Sequence, residues 1–545
     1  MIGSALPRSA KPLDCRLSKL KDHQKGSFPN MHTIDVEIAH GKLRGARHEG
    51  VSIFKGIPYA GRVSSDRRFR RPAELQPWPG VRDALDLGAP AIQPARPNEP
   101  EPAEDCLFLN IWTPATDNQK RPVLFYSHGG GFVIGSGGSA GQDGTNLART
   151  FDVVVVQTNH RLGLLGFLYL DELAGSEYAG SGNQGLLDIV AALEWVNTHI
   201  SVFGGDPNNV MIFGESGGGA KTSCLYAMPA AAPYFSKASI ESGPGVRMLT
   251  REMAAETTAL VLRALSIGPS DWRKLLDVPA ADLLRIQSQF PPVPPHQRRK
   301  IGGSAESSSR GFGPVVDGGV LPAHPFDPTA PAISSNKPLI TGWNEDEYTF
   351  FAWERGDTSA FTLDFDSLQS KLEAQYGPDT QKIIDTYRRA MPGASAPDMF
   401  VAIASTTMMG LGSIEIAEKK AAQHGAPVYL YQFGYKSEMT IPGTEYAVGT
   451  PHAMDITFKF NNETPHNSPG FLSGNNPDRF VASHTMAELW TSFARTGIPA
   501  AVGVPEWPAY TVEDRSSMRI DTKCAIMHNR FSEELAMWRS IGKLE

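Results

Sequence analysis

The 545-residue chain sets 51 Lys and Arg against 58 Asp and Glu, a formal net charge of −7, with 41% aliphatic and aromatic and 20% charged residues. This balance suits a globular protein with a large core. Without a long basic run it argues against nucleic acid or an anionic membrane as partner. No uninterrupted run of 18 apolar residues is present to span a bilayer.

Residues 1–31 mix Lys, Arg, Ser and Pro and lack the apolar segment of a secretory signal. They are expected to form a poorly ordered extension, with Met31 as an alternative start, ahead of one folded unit over 32–545. Cys15, Cys106, Cys224 and Cys524 are far apart and form no Cys-x-x-Cys pair for zinc or redox work. Sparse cysteine and the missing signal point to a cytoplasmic location, although a secreted chain trimmed of its leader would read the same.

From His32 onward, residues 33–38 alternate in polarity, 41–45 read as a turn, and 51–54 return, an antiparallel entry to a sheet. After a Pro-rich stretch, 104–112 is the next strand. Residues 123–127 form a buried strand that ends at His128-Gly129-Gly130-Gly131-Phe132. Residues without side chains let several backbone N–H groups converge on one small anion, so this loop suits an oxyanion hole; an ordinary glycine-rich loop is the alternative. Residues 153–156 follow as a strand, and 186–200 as a helix with apolar residues at 186, 190, 193 and 196. Alternating strands and helices predict an α/β fold with a mostly parallel sheet.

The segment Val210-Met211-Ile212-Phe213-Gly214-Glu215-Ser216-Gly217-Gly218-Gly219 joins an apolar strand to a helix through a tight turn, with Ser216 at its apex. Glycines two places before and after keep side chains away from a strained serine, as a nucleophile elbow requires. Gly137-Gly138-Ser139-Ala140-Gly141 also fits Gly-x-Ser-x-Gly, but neither a strand nor a helix flanks it. A phosphate-binding loop fails because Ala220 separates Gly219 from Lys221, which turns the lysine by roughly 100° around a helix.

Beyond the elbow, 238–240 reads as a strand, 251–290 as helices, 291–310 as a loop and 338–342 as a strand delivering Asn344-Glu345-Asp346-Glu347. Residues 364–424 are helical in pattern and expected to cover the site, 427–433 is a strand, and 449–456 a loop that carries His452. A serine hydroxyl needs a base within reach, and that base needs an orienting acid. Ser216, Glu347 and His452 follow the α/β-hydrolase order of nucleophile, acid and histidine. Glu345 and Asp346 compete with Glu347 for the acid.

Several motifs resemble the type-B carboxylesterases, the cholinesterase-like branch of the α/β-hydrolases, and bacterial para-nitrobenzyl esterases among them. They are Glu104-Asp105-Cys106-Leu107-Phe108-Leu109-Asn110, the elbow, Asn159-His160-Arg161-Leu162-Gly163, Gly182-Asn183-Gln184-Gly185 and Phe203-Gly204-Gly205-Asp206-Pro207, in family order. The resemblance spans roughly 32–538. It implies an α/β-hydrolase fold with helical insertions over the site, no metal or other cofactor, and a small-molecule ester as partner. Its acid motif matches Glu347 and its loop histidine His452. It implies oxyanion N–H groups from Gly130, Gly131 and Gly217, and a substrate pocket involving Phe132, Glu215 and Arg310. Glu215 is expected at the pocket floor, with core packing as the alternative, and 313–318 as a return towards the sheet. The three-glycine loop suggests tolerance of bulky alcohols. Small polar residues over 307–312 suggest a roomy acyl pocket, where Arg310 could hold a carboxylate.

The chain departs from the family at Ala91, in the region where a disulfide partner of Cys106 is common, so Cys106 should be a buried free thiol. It departs again at Gly217, where alanine is usual, and at Tyr348 and Ala453, where glycine is common. A non-catalytic cholinesterase-like binding protein is the rival reading, and the complete Ser216, Glu347 and His452 set argues against it. Nothing in the sequence separates a monomer from a dimer.

Overall fold

A computed structural model describes residues 32–290, 311–467, 470 and 472–544. The expected extension over 1–31 and the loop over 291–310 lie outside them. Among the described residues the first strands are β1 (His32–Ile38), β2 (Gly41–His48), β3 (Val51–Pro58), β4 (Val81–Asp83), β5 (Phe108–Thr113) and β6 (Arg121–Ser127). Then come β7 (Val154–Thr158), β8 (Gly205–Glu215), β9 (Lys237–Glu241), β10 (Leu339–Asn344) and β11 (Val428–Phe433). β12 (Ser437–Thr440), β13 (Ala447–Gly449), β14 (Ser517–Ile520) and β15 (Ala525–Met527) complete the set.

The main sheet runs β1-β2-β3-β5-β7-β6-β8-β9-β10-β11-β14-β15, with β4 beside β2 and a separate β12-β13 pair. From β7 to β14 each neighbour is parallel. The pairs β1-β2, β2-β3, β3-β5, β5-β7 and β14-β15 are antiparallel, and β4 runs parallel to β2.

The apolar runs of β6 and β8 are explained by burial on both faces, as in parallel sheets covered by helices. Val123, Phe125, Val210 and Ile212 face one core with the helices Gln184–His199 and Gly217–Ala227. Leu124, Tyr126, Met211 and Phe213 face the other, against the helices Thr145–Phe151 and Asp478–Thr496. The latter presents Ala482, Met486, Leu489, Trp490 and Phe493 at helical spacing. The segments Ser176–Phe203 and Ala396–Ala421 each contain an 18-residue stretch apolar enough to cross a bilayer, with mean hydropathy 1.3 and 1.5, yet 67% of each stretch is buried in the fold. Polar residues interrupt both, so neither is an unbroken apolar run.

Two expectations change. Residues 41–45 are not a turn: Gly41 opens β2 and pairs with Ile38, so only Ala39 and His40 reverse the chain. Residues 313–318 do not join the sheet; Val315 bridges Leu249 and is held by Asn183, whose side chain accepts from Val315 N–H and donates to Val315 O. Of the helices in 364–424, Ala396–Ser405 packs near the site, with Tyr348 edge-on to Phe400 at 5.1 Å and Ser405 Oγ accepting from Tyr348 N–H.

Candidate active site

Parallel strands bring their carboxyl ends to one edge of a sheet, and loops there can share a site. The loop after β6, the turn after β8 and the segment after β10 meet at that edge. β8 ends at Glu215 and the next helix begins at Gly217, which leaves Ser216 alone at the turn with φ 60° and ψ −124°. Such a backbone costs about 1–3 kcal/mol and persists only where its surroundings enforce it. Here Ser216 N–H donates to Glu241 O at 2.9 Å. A Cβ at Gly214 would lie 2.5 Å from the Gly218 carbonyl carbon, and one at Gly218 would lie 2.1 Å from Ser127 O. The glycines of the motif are therefore demanded by chain crossing as well as by the turn. The competing Ser139 donates to Glu99 at 3.3 Å, and among the described residues no histidine bonds to it.

Ser216 Oγ donates to Nε2 of His452 at 2.8 Å, and Nδ1 of His452 donates to Glu347 Oε2 at 2.5 Å. The other Glu347 oxygen accepts from Asn344 N–H at 2.7 Å. All three side chains come together inside the fold, and the rings of Phe350 and Phe351 lie 5.7 and 4.8 Å from the imidazole. Neither competitor reaches His452. Glu345 pairs with Lys436 and Arg519, and Asp346 pairs with Lys436 and accepts from Thr450 N–H. A cavity of about 390 Å³ lined by Glu345, Asp346, Asp398, Tyr446, Lys436 and Arg530 lies beside this acidic run, and none of Ser216, Glu347 and His452 lines it.

Gly130 and Gly131 have φ of 85° and 63°, a region that favours glycine, and a Cβ at Gly217 would lie 2.2 Å from Gly131 O. An alanine at this position would collide with the loop as it stands here. Gly217 is what lets the loop close on the elbow. Phe132 is wholly buried, edge-on to Phe167 at 5.3 Å, so its ring supports the loop from within the core. Arg310 lies outside the described residues. Cys106 and Cys224 are buried free thiols and Cys524 is free; Cys15 lies outside the described residues.

Glu215 is buried, and its Oε1, 3.3 Å from His452 Nε2, has no hydrogen-bond partner among the described residues. Burial pushes its carboxyl up to about 8. His452 is pulled down by burial, but Glu215 and then Glu347 outweigh this and raise it to about 9. The imidazole is thus a stronger base than an ordinary histidine because two buried carboxylates flank it. Asp455, three residues beyond His452, accepts from Asn344 and Lys459. Lys459 bridges Asp455 and Glu241 at 2.5 Å each, with all three buried.

Sequence reasoning missed Asn344, Phe350, Phe351, the Lys459 bridge and the contact of Lys221 with the oxyanion loop. Asn344 and Phe350 lie within three residues of Glu347, and that proximity was the only signal. Nothing local marks a pair such as Glu241 and Lys459, 218 positions apart.

A profile described as the carboxylesterase family matches residues 32–538. The para-nitrobenzyl esterase of Bacillus subtilis (strain 168) is 34% identical over 507 residues, covering 92% of this chain and 97% of that protein. The crystal structure of a Geobacillus stearothermophilus carboxylesterase superposes with a TM-score of 0.78 at 37% identity, covering 92% of this chain and 99% of that one. An esterase from Clostridium hathewayi, described as able to hydrolyse aliphatic aromatic polyesters, gives 0.76 at 30% identity over 94% and 100% of the two chains. With its mostly parallel sheet and flanking helices, this chain is an α/β-hydrolase and a carboxylic-ester hydrolase, and it belongs to the carboxylesterase family.

Proposed function

We propose that the protein cleaves small to medium carboxylic esters through an acyl-enzyme on Ser216. One observation carries this reading: the continuous chain from Ser216 Oγ through His452 to Glu347, at 2.8 and 2.5 Å. Neutral His452 takes the serine proton as Oγ attacks the ester carbonyl, then returns it to the departing alcohol. Water repeats the sequence on the acyl-enzyme. Glu347 fixes the Nδ1–H tautomer and stabilises the imidazolium, and the N–H groups of Gly130, Gly131 and Gly217 receive the oxyanion. The helix that begins at Gly217 adds its positive end to the same place.

The glycine loop, with no side chain on Gly129, Gly130 or Gly131 to narrow it, supports acceptance of bulky alcohols. The para-nitrobenzyl and polyester relatives point the same way. Ser216→Ala should lower kcat on p-nitrophenyl acetate by roughly 10⁴-fold or more, with the circular dichroism spectrum unchanged. Near wild-type turnover would remove the assignment. In the same assay tert-butyl acetate should be hydrolysed, and its complete resistance would remove the bulky-alcohol reading alone.

A further inference from the structure

Lys221 stands on the helix Gly217–Ala227, four residues beyond Gly217, and is wholly buried. Residues four apart share a helix face, and here that face meets the oxyanion loop. The Lys221 ammonium donates to His128 O at 2.9 Å and sits over the Phe132 ring, 5.9 Å from its centre. His128 and Phe132 are the two ends of the stretch that carries Gly130 and Gly131, so one side chain touches the loop at both roots. The loop is pressed against the elbow at the same place, since a Cβ on Gly218 would lie 3.1 Å from His128 O.

No carboxylate pairs with Lys221 among the described residues, and burial alone pushes its ammonium down to about 7. Its neighbours do not offset that cost. The imidazoles of His128 and His160 stack at 4.6 Å, and burial, followed by the nearby Lys221 charge, holds both well below their usual value. A cation in the first turns of a helix also opposes the helix dipole. Replacing a poorly compensated buried charge by an apolar side chain of similar volume is often neutral or stabilising. Packing alone therefore does not call for lysine here. What lysine supplies, and methionine does not, is a donor aimed at the root of the loop.

We propose that Lys221 is a positioning residue for ester hydrolysis: by gripping the His128 carbonyl and the Phe132 ring, it holds the Gly130 and Gly131 N–H groups against the elbow, aimed at the oxyanion. This rests on the reading of Ser216 and the glycine loop as the active site. The donors matter most when the carbonyl oxygen carries negative charge, so the clamp acts on the transition state and not on substrate binding.

The test is Lys221→Met, of similar length without the donor, assayed on p-nitrophenyl acetate. Expected are a fall in kcat of about 10- to 100-fold, smaller than or equal to the loss of a direct oxyanion donor, with KM within about threefold. The inhibition constant of a trifluoromethyl ketone, whose adduct places an oxyanion in the hole, should rise by the same factor, and the thermal midpoint should hold or rise. Unchanged kcat and inhibition constant overturn the proposal. So does activity that falls together with the thermal midpoint, which assigns Lys221 to packing. Lys221→Leu, apolar and likewise without a donor, is measured beside it and should show the same split if methionine is not tolerated; failure of both variants to fold also assigns the residue to packing. Retained activity in Ser216→Ala removes the reading of the site, whereas a fully active Lys221→Met beside an inactive Ser216→Ala removes only the role of Lys221.

Discussion

Lys459 and Lys221 are equally buried, yet their surroundings make them different groups. Lys459 lies between the carboxylates of Glu241 and Asp455, and although burial works against its charge, those two anions hold its ammonium above the ordinary lysine value. Lys221 meets one carbonyl oxygen and a ring, and burial goes unopposed. Lys459 is part of a network in which Trp490 and Ser239 also donate to Glu241, while Asn344 donates to Asp455 through its side chain and to Glu347 through its backbone. The lesson is that burial alone does not define a lysine's role. A fully paired ammonium ties together β9, β10 and the segment after His452, whereas a singly bonded one is held at a cost that packing does not return.

The largest effect expected from this contrast is on stability. Lys459→Met strands two buried carboxylates and should cost about 3–5 kcal/mol. This would be read as a lower urea midpoint at unchanged slope, while Lys221→Met stays at or above wild type. Equal midpoints for the two variants would collapse the comparison.

A smaller effect concerns Glu215, a buried carboxylate that has His452 where Glu241 has Lys459. His452 acts as base only when neutral, so activity is present above its pKa and is lost as pH falls through it. Against the pull of burial, Glu215 and Glu347 raise that value to about 9, so the acid limb should lie above the pH 6.5 of an unperturbed histidine. Glu215→Gln removes one of the two anions, and the limb of kcat/KM should move to lower pH by about one unit. A limb that stays in place would show that Glu215 exerts no field on the imidazole in that range.

The smallest concerns backbone in place of charge. Ala453, next to His452, has φ 67°, a conformation that costs a residue with a Cβ about 1–2 kcal/mol. Ala453→Gly relieves this but enlarges the freedom of the unfolded chain, for a net gain of at most about 1 kcal/mol with the pH profile unchanged. A lower urea midpoint would mean that the alanine methyl makes contacts worth more than the strain.

What the sequence determined by itself was whatever local chemistry encodes. Unbroken apolar runs such as Val123-Leu124-Phe125-Tyr126 mark strands buried on both faces, 186, 190, 193 and 196 mark one helix face, and Gly214 and Gly218 mark a crossing tight enough to exclude side chains. Each is a short-range pattern with a short-range cause. The order of nucleophile, acid and histidine was legible for the same reason, since Ser216, the acidic run 345–347 and His452 each sit in a motif of their own. Only the tertiary structure decided which of three neighbouring acids meets the histidine, because Glu345, Asp346 and Glu347 differ only in the direction the chain takes as it leaves β10. It alone set the basicity of His452, which depends on Glu215, 237 positions away in the chain and 3.3 Å away in space. And it separated Lys221 from Lys459, because the energy of a buried charge is fixed by its partners and those partners come from distant segments of the chain.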